Sequence, residues 1–219
     1  MPAEGAFRDG QPASFDLIET LRWEPANGFV RLERHLARLY NSAAEFGFAC
    51  DPERVGTVLA HAVGGSGPLR VRLVLARNGE VDVAAQPYEP LPADRIWTLR
   101  IARQRLDSTD TLLRHKTTRR HAYTHARAEY LVQQADEVLL LNERGEVCEG
   151  TITTLFADLG DGELSTPRLD CGLLAGVLRA EFLEKEQTRG AVMTLLELRA
   201  ARSIYIGNSL RGLIPARLA

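Results

Sequence analysis

Lysine is almost missing from this sequence. Among 27 basic residues only Lys116 and Lys185 are lysine, and the rest are arginine. Arginine cannot lose its proton to become a nucleophile, so any amine chemistry falls to one of two side chains. Lys185 sits in Glu184-Lys185-Glu186 near the end of a helical pattern and reads as a solvated face. Lys116 is the remaining candidate. Cysteine is scarce too. Cys50, Cys148 and Cys171 are odd in number and far apart, which excludes a disulfide framework and any recognisable metal-ligand spacing and fits a reducing cytoplasm. Buried apolar filler is their natural role. No apolar run approaches the length of a membrane span, and Met1 to Gly10 lacks the basic and apolar regions of a signal peptide. The net charge of -2 leaves no basic excess to drive binding to nucleic acid or an anionic membrane. There is no internal repeat.

What remains is a chain of 219 residues, 45% hydrophobic and 26% charged, enough for one large domain or two small ones. Phe15 to Trp23 reads as a strand, Asn27-Gly28 as a turn and Phe29 to Leu32 as the return. Leu32, Leu36, Leu39, Tyr40, Ala43 and Phe46 recur at helical spacing, with Gly47 as C-cap. Asp51-Pro52 opens a second helix toward His61. Strands are expected at Leu69 to Leu75, Glu80 to Ala85 and Ile96 to Ile101. Leu106 to Leu113 is polar, without periodicity, and reads as a link between residues 1–105 and 106–219. Beyond it the pattern predicts a helix over Arg120 to Gln134, strands at Glu137 to Leu141, Val147 to Phe156 and Glu163 to Ser165, and a helix over Gly176 to Lys185. A strand at Val192 to Leu195, a short helix to Ala201 and a last strand at Ser203 to Ile206 complete it. The fold class is α+β, with strands in hairpins rather than βαβ units.

Five separated segments carry groups suited to a phosphate-bearing, carbonyl-reactive ligand. Arg38 lies between apolar Leu36 and Leu39, at the margin of a buried helix face; alone it reads as a surface arginine. Lys116 has Arg114, His115, Arg119 and Arg120 as neighbours, and like charges ease loss of its proton. Taken by itself that stretch is an ordinary basic loop. Glu149-Gly150-Thr151 places an acid beside a glycine that allows close backbone approach. Gly176 opens a helix whose free N–H groups can cradle a phosphate, and Gly207-Asn208-Ser209 is a turn that can add donors.

In that order the segments resemble the class IV aminotransferases, the fold-type IV pyridoxal-phosphate enzymes. The likeness runs from about Phe15 to Arg217. Its most specific parts are Glu149-Gly-Thr with Leu155-Phe156, Thr166-Pro-Arg-Leu-Asp170 and Leu174-Ala-Gly-Val-Leu-Arg179. Within the family, Leu17 to Arg22, His115 to Arg120 and Gly207 to Gly212 are most similar to aminodeoxychorismate lyase rather than to branched-chain or D-amino-acid aminotransferases. Two positions depart from the family pattern: Thr154 stands where many members have asparagine, and His121 where some have tyrosine.

The resemblance implies a smaller α/β sandwich joined to a larger barrel-like domain, with pyridoxal 5'-phosphate between them. It makes Lys116 the Schiff-base lysine and acid/base, Glu149 the partner of the pyridine nitrogen and Arg38 a phosphate ligand. Backbone N–H groups of Val177, Leu178, Asn208 and Ser209 would complete the phosphate cup, Leu174 would pack on the ring, and His115 would stand at the surface or behind the site. The expected activity is release of 4-aminobenzoate and pyruvate from aminodeoxychorismate. Transamination of branched-chain or D-amino acids is the alternative, and a non-catalytic partner-binding domain a third reading. The substrate's two carboxylates need cations away from the cofactor; Arg211 is the first candidate, then Arg22, Arg114 and Arg119. A homodimer and association with aminodeoxychorismate synthase are also implied.

Overall fold

Two sheets divide the protein, whose computed structural model describes residues 15–219. The segment Met1 to Gly10, which lacks the regions of a signal peptide, lies outside the described residues.

The first sheet is antiparallel, in the order β2-β1-β3-β4. It comprises β1 (Leu17–Glu24), β2 (Gly28–Phe29), β3 (Leu69–Leu75) and β4 (Val81–Pro87). Alternation puts Leu17, Leu21, Val71 and Leu73 on one face, where they pack with Leu39 and Ala43 of α1 (Leu32–Phe46) and Val55 and Leu59 of α2 (Pro52–His61). The expected caps are present: Gly47 closes α1 at φ 66°, and Asp51 accepts the N–H of Glu53 at 2.9 Å ahead of Pro52. The return strand after the Asn27-Gly28 turn is shorter than expected and ends at Phe29.

The second sheet curls as a half-barrel of eight strands, in the order β10-β9-β8-β11-β12-β5-β6-β7. These are β5 (Trp97–Leu106), β6 (Glu137–Asn142), β7 (Val147–Gly150), β8 (Thr154–Asp158), β9 (Leu164–Pro167), β10 (Arg189–Ala191), β11 (Ser203–Asn208) and β12 (Gly212–Leu218). Helices α3 (His121–Ala128), α4 (Val177–Glu184) and α5 (Leu195–Ala200) cover it. Leu99, Leu139, Leu155, Met193, Leu198 and Ile206 form the core on one face; Ala102, Tyr123, Val138, Leu140 and Leu173 form it on the other. This is the two-part α+β architecture expected.

Several local expectations change. β5 belongs to the half-barrel, so the change of sheet falls between Pro87 and Trp97 rather than at residue 105. Its ten residues end at Leu106, where the sequence turns polar, but their partners are β6 and β12. Not all strands are hairpin-linked: β5 and β6 run parallel across α3, and β9 and β10 run parallel across α4. α3 stops at Ala128 because the Glu129 carboxylate accepts the N–H groups of Arg103 and Gln104 on β5 instead. The expected strand Val147 to Phe156 breaks into β7 and β8. The buried Glu137 carboxylate draws the break, accepting from the Thr151 and Ile152 amides and the Thr151 and Thr153 hydroxyls. A Cβ on Gly150 would meet Thr153 Oγ1 at 2.3 Å, so only glycine fits there. β10 lies at Arg189–Ala191, ahead of the expected Val192 to Leu195, and β12 follows the strand expected to be last.

Candidate active site

A cavity of about 920 Å³ lies between the two sheets. The segment after β5 positions its lysine. The Lys116 carbonyl accepts the Ile18 N–H of β1 at 2.9 Å, and the Thr118 N–H donates to the Asp16 carbonyl at 2.9 Å. Lys116 is thus stitched to the edge of the small sheet while it lines the cavity. Burial pushes its ammonium down, Arg38 and Arg120 push it further, and Glu19 and Glu149 pull back only in part; the amine stands at about 7. The cause differs from the sequence expectation. Desolvation leads, followed by Arg38 from α1 and then by the sequence neighbour Arg120.

Glu149, on β7, is buried against the cavity. One oxygen accepts both the Tyr123 hydroxyl at 2.6 Å and the Leu174 N–H at 3.0 Å. Burial raises its pKa, and those donors together with Arg120 and Lys116 only partly reverse the rise. Both direct donors are neutral. The site therefore holds a carboxyl with one oxygen still to be matched by an N–H on a ligand.

Gly176 caps α4 without a side-chain bond to the helix amides. It lines the cavity with Val177 and Leu178, and a Cβ there would meet Thr154 Oγ1 at 2.7 Å. The turn after β11 brings Asn208 and Ser209 alongside. A glycine is also required at 207, where a Cβ would meet the Gly212 carbonyl oxygen at 2.6 Å. Arg38 reaches the same wall. It donates to Glu19 Oε1 at 2.8 Å, to Glu19 Oε2 at 2.6 Å and to the Ala175 carbonyl at 3.0 Å, so two of its five N–H groups remain free. A helix N-terminus, a donor-bearing turn and an arginine together suit a phosphate. The lysine and the buried carboxyl suit an aldehyde and a protonated ring nitrogen. The residues present thus fit pyridoxal phosphate.

Of the arginines expected to meet substrate, Arg211 and Arg119 line the cavity. Arg211 stacks its guanidinium over Trp97 at 5.7 Å, while Arg119 lies 3.6 Å from Asp110. Arg22 is diverted: it pairs with Glu24, lies over Tyr88 and lines a small neighbouring cavity that Arg211 also borders. Arg114 is exposed and lines neither. Leu174 lines the main cavity. His115 does so too rather than standing at the surface, and its Nδ1 lies 2.9 Å from Ser42 Oγ.

Sequence reasoning missed four groups and took a fifth, Arg120, only as a charged neighbour of Lys116. Arg70 of β3 lines the cavity beside Arg211 and is the direct cross-strand partner of Arg22. Arg120 donates to the Thr151 carbonyl and lies over the Tyr123 ring at 4.4 Å. Tyr123 supplies the phenol, two residues beyond His121, where tyrosine was sought. Glu19 and His35 form a buried pair at 2.7 Å behind Arg38. The one signal for His35 was its place three residues before Arg38, on the same helix face.

The amino-transferase class IV family model matches residues 16–219. A Schizosaccharomyces pombe protein named "Putative aminodeoxychorismate lyase" is 30% identical over 187 residues, 82% of this chain and 80% of that protein. A Mesorhizobium loti crystal structure described as a "Putative amino-acid aminotransferase" superposes with a TM-score of 0.92 at 64% identity, over 94% of this chain and all of that one. The 4-amino-4-deoxychorismate lyase structure from Pseudomonas aeruginosa gives 0.78 at 28% identity, over 93% and 82%.

Proposed function

This chain belongs to the class IV aminotransferases, and from that premise we propose that it is a pyridoxal-phosphate-dependent lyase splitting 4-amino-4-deoxychorismate into 4-aminobenzoate and pyruvate. The observation that carries this reading is a pair of cations, Arg70 and Arg211, lining the same cavity as the phosphate cup. Arg70 and Arg211 face the cavity with no carboxylate paired to either among the described residues. Burial lowers the pKa of Arg211 and Arg70 lowers it further, so an anionic ligand between them is favoured. The proposed substrate brings two carboxylates.

Arg38 and the amides of Val177, Leu178, Asn208 and Ser209 would hold the cofactor's phosphate, Glu149 its ring nitrogen, and Leu174 its ring face. When bound, the cofactor supplies an aldehyde for amine capture and a ring that draws electrons from the substrate's amine-bearing carbon. Lys116, with its amine at about 7, serves as nucleophile and proton carrier in one turnover. It takes the proton from the amine-bearing carbon. The electrons released break the ring C–O bond and expel the enolate of pyruvate. Lys116 then gives the proton to the enolate's methylene carbon, and the remaining ring is aromatic. Glu149 keeps its partner nitrogen protonated throughout, while Arg70 and Arg211 hold the carboxylates still.

Transamination is the second reading, favoured by the 64% identity to the Mesorhizobium loti protein. It uses the same lysine, delivers the proton elsewhere and makes no aromatic ring. Purified protein supplied with aminodeoxychorismate separates the two: the lyase yields 4-aminobenzoate and pyruvate in equal amounts, and absence of 4-aminobenzoate sinks that reading. Paired amino acids and 2-oxo acids, branched-chain and D-series, test the second. Added pyridoxal phosphate should give wild type a visible absorption band that borohydride removes and Lys116→Ala lacks. A homodimer, association with aminodeoxychorismate synthase and a cytoplasmic setting belong to the same proposal, tested by sedimentation and by pull-down against that synthase. Among the described residues no helix is long and apolar enough to cross a membrane.

A further inference from the structure

Behind the phosphate cup lies a buried polar chain in which the chemistry above gives no role to Glu19, His35 or the Ser209 hydroxyl. Glu19 of β1, His35 and Arg38 of α1 and Ser209 after β11 meet at the seam of the two sheets. Glu19 is 2% exposed, His35 1% and Ser209 7%. His35 Nδ1 lies 2.7 Å from Glu19 Oε2, and its Nε2 lies 2.7 Å from Ser209 Oγ. Ser209 also lines the cavity.

Donor and acceptor counting leaves little freedom. Burial pushes the Glu19 carboxyl up, but Arg38 and His35 outweigh it and hold it at about 2. Glu19 is therefore an acceptor only, and His35 Nδ1 carries a hydrogen. Nε2 then decides which way Ser209 points. In a neutral His35, Nε2 is bare and accepts the Ser209 O–H, so the serine turns lone pairs toward the cavity. In the imidazolium, Nε2–H donates to Ser209 Oγ and frees the hydroxyl hydrogen for the cavity. A phosphate dianion offers only acceptors, so it repels the first arrangement and bonds to the second.

We propose that His35 is a positioning residue that takes up one proton when phosphate enters the cup, transmitting that charge through Ser209 as a donated hydrogen bond. The proton comes from solvent and settles on Nε2, with no other bond made or broken. The proposal rests on the reading of this turn as a phosphate site. The charged groups facing His35 come from each element around it. Glu19 on β1 is matched by Arg38 on α1. Arg31, which opens α1, donates to the Ser209 carbonyl at 3.3 Å and pairs with Glu181 of α4. Lys116 lines the same cavity. Glu19 pairs with Arg38 and Glu181 with Arg31, and the incoming dianion adds negative charge at the Ser209 end of the chain.

The probe is pyridoxamine 5'-phosphate, which has no aldehyde to engage Lys116, with pyridoxamine as the phosphate-free control. Titration calorimetry at about pH 8 in buffers of different ionisation enthalpy counts protons. Comparing wild type with His35→Gln cancels the ligand's own protons. Wild type should take up close to one proton more than the variant. Its affinity relative to the variant should fall by about tenfold per pH unit on the alkaline side. Ser209→Ala, which leaves Glu19, His35 and Arg38 in place, should also lose the extra proton, and it stands in if His35→Gln fails to fold. Equal proton counts in all three proteins, with the phosphate still preferred, overturn the relay and leave the phosphate site intact. Equal affinity for pyridoxamine with and without phosphate overturns both.

Discussion

Two buried glutamates, one on each sheet, stand close to Lys116, and their carboxyls move in opposite directions. Glu19, on the small sheet, is held at about 2; Glu149, on the half-barrel, is raised. The two are similarly buried, at 2% and 4% exposure, so desolvation alone does not separate them. The difference lies in their partners. Glu19 receives one Arg38 N–H on each oxygen, and its Oε2 also faces His35. Glu149 receives a phenol and a backbone amide, both neutral, on one oxygen. A carboxylate paired with cations is complete within the fold. One given only neutral donors waits for a cation, which a protonated ring nitrogen supplies. Glu19 belongs to the structure that positions the site, and Glu149 to the site itself.

Replacing each glutamate by its amide tests that contrast most strongly. Glu19→Gln removes the charge without changing the shape and leaves Arg38 and His35 beside an uncharged partner. Breaking one side of a buried ion pair costs roughly 3 to 5 kcal/mol, to be read from a denaturant titration. The stability it removes should depend on pH. Because the folded carboxyl lies below its ordinary value of 4.5, its contribution is full above that value and lost as pH falls toward 2. Wild type and variant should therefore converge in acid. Glu149→Gln should instead leave the denaturant midpoint within about 1 kcal/mol of wild type and lower kcat/KM by about a hundredfold or more. If both substitutions chiefly lowered stability, the division between a positioning and a reacting carboxylate would fail.

The same contrast marks what was readable in the chain. Lys116, Glu149, Arg38 and Gly176, singled out in the sequence by scarcity, a neighbouring glycine, a helix margin and a helix start and joined by the order that carries the resemblance, all line the cavity. Glu19, Arg70 and His35 were not singled out, because each acquires its role from a partner far along the chain. Glu19 meets Arg38, and His35 meets Ser209 174 positions away. The same holds for the elements. Both caps around α1 and α2 were legible from neighbouring residues. The break between β7 and β8 was not, since Glu137, which gathers its donors, precedes it by more than ten residues. β12 was hidden by Pro215, which suggests a loop until Tyr205 is seen opposite it in the sheet.

Lys116 lies between the two glutamates and feels both. Burial, Arg38 and Arg120 bring it to about 7, and the two carboxylates resist. Capture of pyridoxal, followed as the initial rate of visible absorption, should rise about tenfold per pH unit below pH 7 and flatten above it, because only the unprotonated amine attacks. Glu149→Gln removes one resisting charge and should move the midpoint down. Glu19→Gln should also move it down. A rate that keeps climbing to pH 10 in wild type would place the lysine outside the buried, cation-flanked setting described here.

The smallest effect expected is also the most specific. Tyr123→Phe removes the shorter of the two bonds to Glu149, the phenol at 2.6 Å, and retains the ring beneath Arg120. The phenol holds the Glu149 carboxyl down, so its loss should raise that pKa further and weaken the carboxylate as partner to a ring nitrogen. One hydrogen bond to a charged group is worth about 1.5 kcal/mol, or roughly tenfold. Losing it should lower cofactor affinity and kcat by no more than about that factor. Both should recover in part at higher pH, where Glu149 ionises again, and that recovery distinguishes an electrostatic role from packing. A loss that pH does not relieve would mean that Tyr123 only fills space, and that burial alone sets the state of Glu149.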